Sequence, residues 1–282
     1  MKRATRTFMP GERSHDALEA GAVIAASGRG LIFTRLGEAI TNTEAAIEVR
    51  NHYLRFFDQI RAARLPAQVS VKPTQLGLDL SVAECEHHLQ ALAGKAEAIG
   101  SALWLDMEDS SYVDRTLELY IALLRKHPTT GVALQAYLHR TPGDLARLMP
   151  LEPAIRLVKG AYDEPSTSAF EKKSDTDRAY YALASQLLDG ARAGGCLPVF
   201  GTHDLALIAR IAGRAAELGI GKEKYQIHML YGIRDAAQRR LVAEGHVVKT
   251  LVSYGAAWYR WYMRRLAERP ANVLFVVKSL FA

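Results

Sequence analysis

The chain has 282 residues, 49% hydrophobic and 23% charged, the balance of a soluble globular protein with a large core, which excludes intrinsic disorder and collagen-like or disulfide-stapled architectures. Its two cysteines, Cys85 and Cys196, are far apart and lack a C-x-x-C partner, an arrangement expected of a reducing cytoplasm and not of a zinc ribbon. Lys and Arg total 36 against 30 acidic residues, but the +6 excess is scattered with no block longer than a doublet, so no nucleic-acid partner is expected. Residues Met1–Arg13 are basic without the apolar stretch of a signal peptide. A helix is predicted over Ser14–Ala26. Strands are then predicted at Leu31–Thr34, Val69–Lys72, Leu103–Met107, Val132–Leu138, Ile155–Tyr162, Pro198–His203, Tyr225–Leu230 and Val247–Val252. Helical patterns fill the gaps: Thr43–Arg64, Ser81–Ile99, Tyr112–Lys126, Thr141–Met149, Lys172–Arg192, Leu205–Leu218, Asp235–Glu244 and Ala256–Arg269. Ser81-x-x-Glu84 reads as a capping box and Pro142 as a first helical residue. The tail Asn272–Ala282 is apolar but short and broken by Lys278, and no run reaches the ~20 residues of a transmembrane segment.

The strands start about 31 residues apart on average, the length of one βα unit. Eight strands, each followed by a helix, is the count of a (β/α)8 barrel, and the length suits one. The expectation is an α/β chain forming a single TIM-like barrel domain over residues 1–282, with an additional N-terminal helix. A doubly wound open sheet is the rival. It usually has fewer strands, and no G-x-G-x-x-G follows the first strand here.

In such a barrel the active site lies at the C-terminal ends of the strands, so polar residues interrupting those ends are the candidates. They are Lys72, Asp106 with Glu108 and Asp109, Gln135, Arg156 with Lys159, Thr202 with His203, and His228. A single inward charge is often half of a structural ion pair. Burying Lys72, Asp106, Arg156 and Lys159 together is costly unless they pair with one another or with a charged ligand. His203, His228 and Asp106 offer a mixed metal set, but no H-x-H pair lies on a strand and no metal is expected. In the last helix, Arg264 and Arg265 fall one turn beyond Trp261, suited to a bidentate carboxylate clamp over an aromatic floor.

Taken together, the motifs resemble monofunctional bacterial proline dehydrogenase, also found as the first domain of bifunctional proline-utilisation flavoenzymes. They are Phe8–Glu12, Val69–Leu78 with Lys72-Pro73, Leu105–Glu108, Gln135–Leu138, Arg156–Tyr162, Gly201–His203, Met229–Gly232 and Arg264–Asn272, in order along nearly the whole chain. The resemblance implies an FAD enzyme that oxidises L-proline to 1-pyrroline-5-carboxylate. Lys72, Arg264 and Arg265 are then expected to hold the substrate carboxylate, and Asp106 to pair with that basic cluster. Arg156 is expected beside the reactive nitrogen of the flavin. Tyr162 and Leu230 are expected to line the ring pocket. Met107, Gln135, Val158, Lys159, Gly160 and Ala161 are expected along the isoalloxazine and its side chain, with Thr202 and His203 further along the FAD. A quinone or membrane-associated electron acceptor is implied as well, and a cytoplasmic enzyme, peripheral to the inner membrane where it meets that acceptor.

The chain departs from the family pattern at four positions, two of which, Leu251 and Trp261, fall on the pocket expected around the substrate ring. Leu251 and Trp261 stand where the family has tyrosines, Ser253 where it has proline, and His228 where glutamine is commoner. Substituted prolines such as hydroxyproline are therefore an alternative substrate class. A non-catalytic proline- or flavin-binding module is a further one.

Overall fold

The structure, a computed structural model, describes residues 7–37 and 40–258. All eight predicted strands form: β1 (Gly30–Arg35), β2 (Ala67–Val71), β3 (Leu103–Leu105), β4 (Gly131–Gln135), β5 (Ala154–Val158), β6 (Leu197–Gly201), β7 (Gln226–Leu230) and β8 (Val247–Tyr254). Helix α1 (Ser14–Ala25) precedes β1. Then α2 (Thr43–Ala62), α3 (Val82–Ala98), α4 (Val113–Leu124), α5 (Thr141–Leu148), α6 (Lys173–Arg192), α7 (Leu205–Glu217) and α8 (Asp235–Ala243) follow β1 to β7 in turn. Each strand pairs in parallel with the next and β8 pairs with β1, closing the expected (β/α)8 barrel. The predicted helix over Ala256–Arg269 lies outside the described residues beyond its first three positions.

Local chemistry starts the helices where the sequence predicts. Asn42 accepts from the Ala45 N–H at 2.8 Å, Ser81 from that of Glu84 at 3.2 Å, and Asp204 from that of Leu207 at 3.2 Å. Three strands stop short of their apolar runs. The chain turns after β4, with the Leu138 N–H donating to the Gln135 carbonyl at 3.3 Å. Beyond β5, Gly160 takes a φ of 120°, which ends extended pairing. Strand β3 stops at Leu105, though the Asp106 N–H still donates to the Val71 carbonyl at 2.8 Å. These runs stay apolar past the strand ends because Ala136, Leu138 and Met107 are buried in the loops that follow.

Parallel register sorts every strand residue to one face of the barrel. Leu31, Phe33, Val69, Leu105, Leu157, Phe200 and Val252 face outward and join the helices in one hydrophobic core. Helix α1 covers the outer faces of β1 and β8, so closely that a Cβ on Gly21 would lie 2.7 Å from the Phe33 ring.

The inward face is polar, unlike the Val, Ile and Leu layers usual in this fold. It carries Gln68 and Ser70 from β2, Trp104 from β3, Arg156 from β5, Gln226 and His228 from β7, and Lys249 from β8. Glycines make room for the large members. A Cβ on Gly131 would sit 2.4 Å from the Trp104 ring, and one on Gly30 would sit 2.9 Å from Lys249 Cγ; each glycine is the register partner of the residue it admits. Among the described residues, no helix is long and apolar enough to cross a membrane.

Lys249 points into this interior level with His228 and Gly30, and burial lowers its pKa to about 8. Removing that charge with Lys249→Met is expected to stabilise the fold at pH 7 by about 1–3 kcal/mol, read from denaturant melts. Below pH 8 the ammonium is charged in both folded and unfolded chains, so its burial cost is fully present. Between pH 8 and its ordinary 10.5 the folded chain sheds the proton first, the wild type gains stability, and the advantage of the variant shrinks.

Candidate active site

The site begins with a buried cation. Arg156, in the middle of β5, is 3% exposed. Its Nη2 donates to Ser70 Oγ at 2.9 Å and forms a short ion pair with Asp106, whose carboxylate also accepts from the Ser70 hydroxyl at 2.8 Å. Trp104 lies under the guanidinium, with its ring centroid 5.1 Å from Cζ. Burial pulls the pKa of Arg156 down and the Asp106 charge pushes it back up, with burial the larger of the two. Nη1 has no hydrogen-bond partner among the described residues.

The neighbouring strand end repeats the pattern. Gln135, the last residue of β4, is buried; its Nε2 donates to the Glu108 carbonyl at 3.0 Å, while Oε1 has no partner among the described residues. Glu108 in turn accepts from the Thr74 N–H at 3.1 Å and from the Thr74 hydroxyl at 2.7 Å. This buried carboxylate ties the turn after β2 to the loop after β3, setting the base from which Lys72 projects. Lys72 Nζ donates to the Tyr162 hydroxyl at 3.4 Å, so the two side chains meet across the mouth from β2 and the loop after β5.

That loop is anchored at three points. The Tyr137 hydroxyl donates to the Tyr162 carbonyl at 3.3 Å, and Glu164 accepts from the Ser110 N–H at 2.6 Å and from its hydroxyl at 2.5 Å. At Gly160 a Cβ would lie 2.2 Å from the Tyr137 ring, and the positive φ adds a second reason for glycine. Ala161 beside it is exposed. Lys159 is engaged outside the ring of Arg156 and Gln135, donating to Asp177 at 2.5 Å and to Asp204 at 3.2 Å. Burial raises the pKa of Asp177, but hydrogen bonds from Lys159 and Lys173 outweigh it and leave the group below its ordinary value.

On the opposite wall Leu230 and Leu251 are register partners, and Leu251 also pairs with Ile32 of β1. Both leucines face inward yet are only half-buried, as is Val158 beside Gly201, so the barrel is open at this end. The Leu230 N–H donates to His203 Nε2 at 3.4 Å, and the hydroxyl of buried Thr202 accepts from the Asp204 N–H at 3.2 Å. Met107 is buried below the β3 loop. The N-terminal motif reaches this wall too. Gly232 has no Cβ because the Thr7 carbonyl occupies that space, and Trp258 Nε1 donates to Glu12 at 3.2 Å.

The structure thus brings Lys72, Asp106, Arg156, Tyr162 and Gln135 to one end of the barrel, with Leu230 and Leu251 across from them. His228 lies deeper, against Trp104 and bonded to Gln226 Oε1 at 3.1 Å, so it does not join Asp106 and His203 in a metal-holding group. Trp261, Arg264 and Arg265 lie outside the described residues. Sequence reading passed over Ser70 and Trp104. Their signal is parity: each stands two residues before a candidate on the same strand, Lys72 and Asp106, and so shares its inward face.

The sequence profile of the proline dehydrogenase family matches residues 17–278. The chain belongs to the proline dehydrogenase family. It is 34% identical over 276 residues to proline dehydrogenase 1 of Bacillus subtilis (strain 168), covering 98% of this chain and 90% of that protein. It is 35% identical over 282 residues to the proline dehydrogenase of Deinococcus radiodurans, covering 97% of this chain and 88% of that one. In fold it is similar to proline utilization A from Bdellovibrio bacteriovorus inactivated by N-propargylglycine, with a TM-score of 0.87 and 23% identity over 94% of this chain. It spans 32% of that larger protein. Proline utilization A from Bradyrhizobium japonicum gives a TM-score of 0.79 at 23% identity, with this chain covering 30% of it.

In this member of the family, Asp106→Ala leaves the Arg156 guanidinium buried and unpaired. The expected loss is about 3–5 kcal/mol of stability in denaturant melts. The double variant Asp106→Ala, Arg156→Met is expected to be more stable than Asp106→Ala alone, because the stranded charge is gone.

Proposed function

We propose that this chain is an FAD-dependent proline dehydrogenase, a single catalytic barrel oxidising L-proline to 1-pyrroline-5-carboxylate. Membership of the family supports the activity. The observation carrying the cofactor is a pair of buried polar atoms on the adjacent strands β5 and β4, Arg156 Nη1 and Gln135 Oε1, that have no hydrogen-bond partner among the described residues. Buried polar atoms without partners are costly, and a planar heterocycle bearing donors and acceptors relieves both at once. Bound FAD would supply the acceptor for one hydride, that is, two electrons and a proton.

Arg156, Gln135, Met107, Val158, Lys159, Gly160 and Ala161 are the residues to hold the flavin ring and its side chain, with Thr202 and His203 beyond them. Lys72, Arg264 and Arg265 hold the substrate carboxylate. Their charges also favour loss of the proton from the ring nitrogen, which must offer a lone pair before the C=N bond forms. The ring carbon beside nitrogen then gives up a hydride, and one N–H bond and one C–H bond are exchanged for one C=N bond. With FAD bound, Arg156 would place its positive charge beside the ring and so favour its reduced form. Asp106 keeps Arg156 in place. Tyr162, Leu230, Leu251 and Trp261 shape the ring pocket. Electrons leave to a quinone at or near the inner membrane.

The wall of Leu230, Leu251 and Ile32 is apolar and suits an unsubstituted ring. A hydroxylated proline is favoured by one feature: Ser253, at the next inward position above Leu251, is 1% exposed and its Oγ has no partner among the described residues.

The test is an anaerobic absorption spectrum of the purified protein before and after L-proline, repeated with hydroxyproline and followed by dye- and quinone-linked assays. The expected result is a yellow protein bleached by proline and reoxidised by the quinone. Bleaching by hydroxyproline alone moves the substrate assignment. A colourless protein that does not take up FAD overturns the reading altogether.

A further inference from the structure

We propose that Trp104 is a positioning residue for the flavin chemistry, fixing the plane of the Arg156 guanidinium so that its unbonded Nη1 is presented to the cofactor. The inference rests on the functional reading above. It shares Arg156 with that reading and adds the contacts of Trp104.

An arginine held through one nitrogen still turns about that point. Asp106 and Ser70 both engage Nη2, so they set where the guanidinium sits but leave its plane to other contacts. The flat neighbour is Trp104, 5.1 Å below Cζ. Trp104 is itself held on three sides. Its Nε1 donates to Gln68 Oε1 at 2.8 Å. Its six-membered ring lies over the Gly131 backbone, where an added Cβ would come within 2.4 Å of it. His228 meets it edge to face, with centroids 5.5 Å apart and planes at 78°. Burial, and then the charges of Arg156 and Lys249, push the pKa of His228 well below its ordinary value, so it meets the indole as a neutral ring. A side chain serving only to fill the barrel needs none of this orientation, and a leucine or valine is the usual filler there.

A cation fixed near a reducible ring favours the reduced, more negative form, so turning Arg156 away lowers the reduction potential of the flavin. The experiment measures that potential on the holoenzymes, together with kcat, KM for proline and thermal stability. Trp104→Leu removes the flat surface. Trp104→Phe keeps a ring and loses the tether to Gln68. Gly131→Ala leaves every polar group intact and presses a methyl into the indole.

For Trp104→Leu the expected result is a tenfold weaker preference for the reduced flavin, ~30 mV more negative for a two-electron couple. Its kcat is expected to fall about tenfold, while KM changes less than twofold. Trp104→Phe is expected to restore most of the potential, and Gly131→Ala to shift it in the direction of Trp104→Leu. Gly131→Ala added to Trp104→Leu should then cause no further shift, since the ring it displaces is gone.

Potentials at the wild-type value in both Trp104→Leu and Gly131→Ala, with only stability reduced, overturn the proposal and make Trp104 a packing residue. Should Trp104→Leu fail to fold, Gly131→Ala and Trp104→Phe decide by the same measurement. A wild-type protein that takes up no flavin sinks the functional reading instead, and the two failures are told apart at the first spectrum.

Discussion

A permanently charged side chain buried in the middle of a closed barrel is the constraint around which this molecule is built. Arg156 cannot shed its proton to escape burial, so the surroundings must supply compensation. They do so through Asp106 and Ser70 on one edge and the face of Trp104 beneath. Ser70 comes from β2, Trp104 and Asp106 from β3 and the residue after it, and closing the barrel is what brings them to β5. The compensation is deliberately incomplete in a structural sense: one nitrogen keeps its hydrogen-bonding capacity at the end of the barrel where the walls open. Lys249 adds a second positive charge below, and the neutral His228 adds none, so the interior beneath the site is net cationic.

The loops at the mouth extend the same logic outward. Glu108 joins the turns after β2 and β3, and through its carbonyl it reaches Gln135 of β4. Glu164 joins the loops after β3 and β5, and Tyr137 joins those after β4 and β5. The strand ends from β2 to β5 are thus cross-linked by side chains of their own loops. A site assembled from several separate strands needs such ties, because the reacting groups are far apart in sequence and a displacement of one ångström is enough to cost catalysis.

The strands and helices were legible in the sequence because burial writes long apolar runs at regular spacing, and all eight strands fall where those runs do. The polar residues closing the runs were equally legible: Lys72, Asp106 and Gln135 stand out against apolar neighbours. Strand limits were less so, since Ala136–Leu138 and Met107 remain apolar while buried in loops. What the sequence concealed was parity. Ser70 and Trp104 read as ordinary strand residues until register shows that they share a face with Arg156. Gly131 falls just outside the predicted Val132–Leu138 strand, and its place in β4 under the indole is visible only in the fold. Lys159 looked like its neighbours Val158 and Gly160, and its turn toward Asp177 and Asp204 depends on α6 and α7, which are brought near only by the fold.

Helix α1 has a consequence for how the protein is made. It covers the seam where β1 meets β8, and so its apolar side, with Ala17, Gly21 and Ile24, is completed by the strand that leaves the ribosome after all the others. Throughout synthesis the first helix waits for the eighth strand, and β1 lacks one of its two neighbours for just as long. Early intermediates therefore carry an unsatisfied strand edge and an apolar helix face together at the same end of the chain, the combination that invites association with other nascent chains. The seam is the last part of the wall to form.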